Sequence, residues 1–377
     1  FTTLSKDIET TMECLKALSQ LASIDGIILE THKHPYTKES ERILGQYLET
    51  QTVIPVSTEI KPVDALVHFI RRKNYNLARF KSGRLHHEIA RKLREKYDYI
   101  VCDSLFAAAQ LSHFDFRELA PVIIRSHNVE SEIWKLHAEL ETSVLKRFYL
   151  RTLEKTLRKE ELEILNKAAV VWAISAEDRD WISQHTRQKN TLLLPVSVAV
   201  NPERSADYRN DGFFHLGSMD WKPNQEAVNY LVKNLWSNPK LSGIPLKIAG
   251  SKSEHFRFLA TGSIEVIGWV EDSSAFLSSA GTLVTPIRSG SGIRIKLLEA
   301  MALGVPCVTT HLGAAGINIP ESGIQVAENE AGFVEILLKL HENAAFREEV
   351  GTKARNYISK VHSFDACIEL MKHTFGV

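Results

Sequence analysis

The chain has 377 residues, 44% of them hydrophobic and 24% charged, ordinary globular values and enough length for two hydrophobic cores. Lys plus Arg and Asp plus Glu are 46 each, and the zero formal charge argues against nucleic acid as a partner. The four cysteines, Cys14, Cys102, Cys307 and Cys367, are far apart and form no CxxC pair, which excludes a zinc knuckle or disulfide framework and fits a reducing, cytoplasmic compartment.

In chain order, short β-branched runs alternate with longer helical patterns, the mark of βαβ units. The first half predicts strands at 25–29, 65–69, 99–101, 122–125, 170–173 and 192–194. Helices are predicted at 9–22, 39–47, 84–95 and 130–165, the last breaking around 141–143. Residues 195–210 are polar, hold Pro195 and Pro202, and read as a linker. A second series follows, with strands at 213–216, 246–249, 264–267, 282–284, 307–309 and 324–326. Its helices are predicted at 225–235, 274–279, 295–303, 330–340, 344–360 and 364–375. No apolar run is long enough for a transmembrane helix, and no leader-peptide pattern is recognisable. The expected organisation is two doubly wound α/β domains, 1–196 and 197–362, with 363–377 as a final helix. A cleft is expected beyond the carboxyl ends of the strands.

The strongest local signal runs from Pro286 to Ala300, between a predicted strand and a predicted helix. Gly290 and Gly292 permit a tight turn and close backbone approach, with Ser289 and Ser291 beside them. Backbone N–H groups at the next helix start can hold a phosphate, and Arg288, Arg294 and Lys296 supply positive charge there. Glu299 follows Lys296 by three residues, so one helical face carries both. Arg294 and Lys296 are two apart and cannot share that face, which favours a helix starting after Arg294. The competing reading is a surface loop with solvated charges, since the glycines form neither a GxGxxG nor a Walker A pattern.

Other strand ends carry weaker signals. Gly217 closes the 213–216 strand where a ligand could approach, and Lys222 is a candidate phosphate contact. Trp221 reads equally as a packing anchor, and Asn224 as a helix cap. Gly268, Trp269 and Val270 form a turn whose backbone could read a base edge, with Asp272 capping the next helix. In the first half, His127 stands at the carboxyl end of the 122–125 strand between Arg125 and Asn128; a structural histidine is the competing reading. Ser175 and Asp178 read as a cap and its N3 partner. Basic stretches at 71–96 and 146–159, the second mixed with Phe148, Tyr149 and Leu150, could rest on anionic lipid or be solvated faces. No Asp-rich cation motif is found, so no metal and no separate cofactor is expected.

Gly217–Asn224, Gly268–Val270, Gly290–Pro306 and Gly313–Ile317, in this order, resemble glycosyltransferase family 4, retaining enzymes of the GT-B fold. The resemblance implies two Rossmann-like domains facing across a cleft, and transfer of a hexose-type sugar from a nucleoside-diphosphate sugar to a glycan, lipid-linked or other hydroxyl acceptor. It implies that Glu299 holds the donor ribose, that Arg294 and Lys296 hold the diphosphate, and that Ser289–Gly292 face the sugar or phosphates. It further implies that His127 contacts the transferred sugar and that the last helix crosses back to the first domain. Same-face attack with the diphosphate as base, and domain closure that excludes water, follow from the same resemblance. Three departures stand out. Ser291 occupies the first position of the family's paired-glutamate motif. Asp220 and Lys222 stand where many members have Arg and Lys. The first strand and glycine-rich loop of the first domain are not evident before 9–22. A same-fold epimerase or phosphorylase, or a non-catalytic nucleotide-binding partner, are the competing functions. A cytoplasmic enzyme with peripheral contact at the inner membrane face is the expected setting.

Overall fold

Every ladder between named strands is parallel, so each strand needs a crossover to bring the chain back to the same end of its sheet. The structure, a computed structural model, describes residues 8–32, 35–59, 61–71, 73–198, 205–210, 212–290 and 292–376. The chain divides into two units, Phe1–Val196 with Cys367–Val377, and Ser197–Ala366.

In the first unit, β1 (Asp25–Glu30) pairs with β2 (Thr50–Pro55) as a two-stranded sheet. Strands β3 (Ile100–Cys102), β4 (Val122–Ser126), β5 (Val170–Ala173) and β6 (Thr191–Leu193) form a second sheet in chain order. β4 is buried along its whole length, and Ile124, Val171 and Leu157 lie at the centre of the core. A cavity of about 640 Å³ runs beside both β1 and β3, lined by Ile27, Leu85, Ile89 and Ile100 among others. The helix Phe364–Phe375 belongs largely to this unit: Trp172 Nε1 donates to Thr374 Oγ1 at 3.0 Å, and Phe375 packs edge-on against Tyr99.

The second unit holds one six-stranded sheet. Its strands are β7 (Phe213–Leu216), β8 (Leu246–Ala249), β9 (Ile264–Gly268), β10 (Thr282–Thr285), β11 (Cys307–Thr309) and β12 (Gln325–Val326), in the order β12-β11-β10-β7-β8-β9. The first strand is thus central and the winding reverses between β7 and β10. That reversal makes a crevice at the carboxyl ends of these two strands, the place where open α/β sheets bind ligands.

The structure corrects three expectations. Residues 65–69 are helical, within Pro62–Ile70, rather than a strand. A short apolar run has no period of its own, and Pro62 opens a helix with φ already set. β2 was not expected, because its exposed edge residues break the apolar run that marks a strand. Asn224 does not cap its helix: the helix is Lys222–Tyr230 and its N-cap is Trp221, which makes no side-chain cap bond. The helix after the basic loop is Ile295–Ala302 with Arg294 as N-cap, so it does start after Arg294.

Gly217 and Gly250 end β7 and β8 in direct contact. A Cβ on Gly250 would lie 2.2 Å from the Gly217 carbonyl oxygen, and Gly250 has φ +119°. Backbone clash and a left-handed φ act together, so Gly250→Ala is expected to cost about 3 kcal/mol or more. Urea unfolding of parent and variant measures this.

Candidate functional site

The β7 and β10 loops meet in the crevice and are tied together. Gly290 has φ +87° and lies against the β7 loop, where a Cβ would come 3.0 Å from Trp221 and 3.1 Å from Pro223. Ser289 Oγ donates to Glu226 Oε2 at 2.5 Å. Gly292 also has positive φ, +85°, and its carbonyl accepts from Arg294 Nη1 at 2.7 Å. Ser291 lies outside the described residues. The Arg294 guanidinium lies over the Trp221 ring, 4.9 Å from its centroid, a cation–π contact that sets its direction.

At the second residue of the helix, Lys296 Nζ donates to Asn224 Oδ1 at 2.8 Å, while Asn224 Nδ2 donates to the Ser218 carbonyl at 2.8 Å. Asn224 is therefore an orienting group for the lysine. Its amide also explains Gly217, where a Cβ would lie 2.6 Å from Asn224 Nδ2. Part of the Lys296 side chain reaches the surface, but its ammonium is enclosed. Burial and the neighbouring Arg294 push its pKa down to about 7. Burial likewise lowers Arg294 to about 10. His215 on β7 is fully buried, donates through Nδ1 to the Val284 carbonyl at 3.0 Å, and is kept neutral by burial and by Lys296. The crevice floor thus gathers basic groups whose charged forms are disfavoured by burial. A phosphate there would relieve that cost and meet the N-terminus of Ile295–Ala302.

The other expected residues lie as follows. Glu299 is partly buried one turn beyond Lys296. Lys222 is exposed and points to Glu226, 3.7 Å away, instead of joining the Arg294–Lys296 group. Gly268 (φ +95°) ends β9, two strands from β7, or about 10 Å along the sheet edge. Trp269 beside it is 72% exposed and Val270 half-buried. Among the described residues no group of three His, Cys, Asp or Glu is placed to hold a metal ion.

The first unit holds a second polar cluster at its strand ends. His127 Nε2 lies 2.8 Å from Asp103 Oδ1, which also accepts from Arg125 Nη1 at 2.8 Å. Thr11 Oγ1 donates to Asp103 Oδ2 at 2.6 Å. Burial alone would raise the Asp103 pKa, but Arg125 and His127 hold it far below the usual carboxylate range. Asp103 in turn keeps buried Arg125 charged. The loop after His127 is anchored by Glu161, whose carboxylate accepts from the Glu130 and Ser131 N–H groups at 2.8 and 3.1 Å, capping Glu130–Leu140 from another helix. Burial pushes Glu161 up to about 7. Ser175 caps its helix as expected, accepting from the Asp178 N–H at 3.0 Å.

Sequence reasoning missed Asp103, His215 and Glu161. Asp103 had a signal, an acid directly after a strand, the same cue that picked out His127. His215 and Glu161 had none, because alternation cannot tell a buried polar residue from a solvated one.

The match to known proteins agrees with this geometry. Residues 210–343 match the family model described as glycosyl transferases group 1. An uncharacterized 44.6 kDa protein in the cps region of Klebsiella pneumoniae is 23% identical over 71% of this chain and 72% of its own length. Anabaena Alr3699/HepE, solved in complex with UDP, superimposes with a TM-score of 0.69 at 12% identity, covering all of this chain and 98% of that one. Sucrose-phosphate synthase from Thermosynechococcus elongatus gives 0.69 at 13%, covering 99% and 93%. TarM of S. aureus gives 0.58 at 16% over 80% of this chain, which spans 58% of TarM's length. The fold is GT-B, two Rossmann-like units. The second unit thus carries a match to the glycosyl transferases group 1 model over residues 210–343.

Two expectations follow. Asp103→Ala would leave Arg125 charged and uncompensated in the core, and should cost about 3–5 kcal/mol in urea unfolding. Lys296 has an ordinary pKa of 10.5 and about 7 when folded, so between these values the unfolded chain binds more protons. Ligand-free stability should therefore rise with pH across that window. Lys296→Met should flatten the rise, read by urea unfolding at both ends of the window.

Proposed function

We propose that the chain is a retaining family 4 glycosyltransferase that moves a hexose-type sugar from a nucleoside-diphosphate sugar to a hydroxyl of a glycan or lipid-linked acceptor. The observation that carries this is the convergence of Arg294, Lys296 and the N-terminus of Ile295–Ala302 at the strand-order reversal, on the turn made by Gly290 and Gly292. A diphosphate carries charge opposite to that of these two side chains. UDP bound to Alr3699/HepE, which shares the fold, supports a nucleotide as the ligand class. The cps-region relative supports a polysaccharide as the acceptor class.

In this reading Arg294 and Lys296 hold the diphosphate, and Lys296 takes up a proton as the anion arrives. The same groups stabilise the negative charge that grows on the leaving diphosphate. Positive side chains and a helix end do this work without a metal. Glu299 accepts hydrogen bonds from the ribose hydroxyls, and the Gly268–Val270 turn offers backbone groups to the base. Gly217 and Ser289–Gly292 line the donor, Ser291 replacing the carboxylate common at that position. Lys222, on the rim, meets the outer phosphate at most. His127, its ring held by Asp103, contacts a hydroxyl of the transferred sugar.

Calorimetric titration with a panel of nucleoside diphosphates and their sugars tests the reading. One nucleotide should bind selectively, and Arg294→Ala/Lys296→Ala should weaken it by roughly a hundredfold or more, from about 1.5–3 kcal/mol for each charged hydrogen bond. Equal binding by both proteins would overturn the donor-site assignment.

A further inference from the structure

The helix Glu130–Leu140 is capped from outside. Its N-cap residue, Val129, offers no side-chain cap bond, whereas Ser82, Ser104, Ser175, Asn329 and Asn343 each cap the helix they precede. The Glu130 and Ser131 N–H groups donate instead to Glu161, 31 and 30 residues further on. Nearby, the Asp178 carboxyl faces the Val129 N–H and accepts from Ser175 Oγ at 2.8 Å.

Glu161 stands where packing calls for an apolar side chain. Leu153, Leu157, Glu161 and Leu165 follow each other at every fourth position of Val144–Leu165, all buried, and Leu157 and Leu165 belong to the core. Glu161 is 1% exposed; burial raises its pKa, and Asp178 adds to the rise. Among the described residues neither acid forms an ion pair with Lys or Arg. Only hydrogen bonds and the positive end of the helix favour the charge on Glu161. A buried acid without a cation costs stability, and a serine at position 129 would cap the helix without that cost. What Glu161 adds is a fixed point in the backbone. Only Asn128 and Val129 separate His127 from the first N–H that Glu161 holds. On the other side the Ser126 carbonyl accepts from the Ile174 N–H at 3.3 Å.

We propose that Glu161, with Asp178 beside it, is a positioning residue for His127. By holding the first N–H groups of Glu130–Leu140 it sets the path of residues 127–129 as they leave β4, and so the place of the imidazole that Asp103 then orients. The ring's placement is a property of the first unit alone; its effect on transfer rests on the reading of His127 as the sugar contact.

Imidazole nitrogen NMR of the whole chain, labelled at histidine, tests the placement, the His127 signals being those lost in His127→Gln. Glu161→Gln keeps the shape and one acceptor oxygen. Glu161→Met completes the apolar stripe, so that it should fold, and removes both acceptors. Each should move the His127 signals, Glu161→Met the further, while those of His215, His255 and His311 in the second unit stay in place. Hydrolysis of the nucleotide sugar selected by the calorimetric titration should fall about tenfold or more in kcat, with KM unchanged within about twofold. Glu161→Gln/His127→Gln should be no slower than His127→Gln alone, because both act through one ring. Folded variants whose His127 signals coincide with the parent's would overturn the proposal, as would a kcat loss that Glu161→Gln adds in full to that of His127→Gln. A parent that binds no nucleotide would count against the donor-site reading instead, and the NMR comparison would still decide the positioning role.

Discussion

The enclosed ammonium of Lys296 beside the guanidinium of Arg294 is the constraint around which the second unit is organised. Burial lowers the pKa of both, and the neighbouring Arg294 lowers that of Lys296 further. Among the groups that hold them are the Asn224 amide on Lys296, and the Trp221 ring and the Gly292 carbonyl on Arg294. Those holders come from the β7 and β10 loops, which are neighbours only because the strand order reverses between them. Gly217, Gly250 and Gly290 then follow as clearances, since each lets one of these loops close on its neighbour.

The first unit treats buried charge in the opposite way. Arg125 is buried, yet Asp103 accompanies it, and Thr11 and His127 also bond the carboxylate. Such a set orients the His127 ring and gives Arg125 a counter-charge within the unit. His127 is therefore a held group at a strand end, whereas Lys296 is held by a neutral amide.

Much of this was legible in the residues. The alternation of β-branched runs and helical periods marked nearly every strand of the second unit, because buried parallel strands need continuous apolar runs. The two-residue spacing of Arg294 and Lys296 already favoured a helix starting after Arg294 over a structural job for that arginine, and the helix does start there. The strand β2 and the helix Pro62–Ile70 were lost to the same weakness: a short run with mixed exposure has no reliable period. Asn224 was read as a cap because Asn after Pro at a helix start looks like one locally, while its real partner is 72 residues further on.

The sequence by itself determined the class of fold, the loops that gather at strand ends and the residue types available there, since these follow from local periodicity and from glycine and proline stereochemistry. Only the tertiary structure decided which of those residues act together. Strand order put Lys296 against Asn224 and Asp103 against His127; burial then lowered the pKa of Lys296, and the charges of Arg125 and His127 lowered that of Asp103. Both depend on contacts between segments far apart in the chain, and a side chain's dielectric surroundings are a property of the packed molecule.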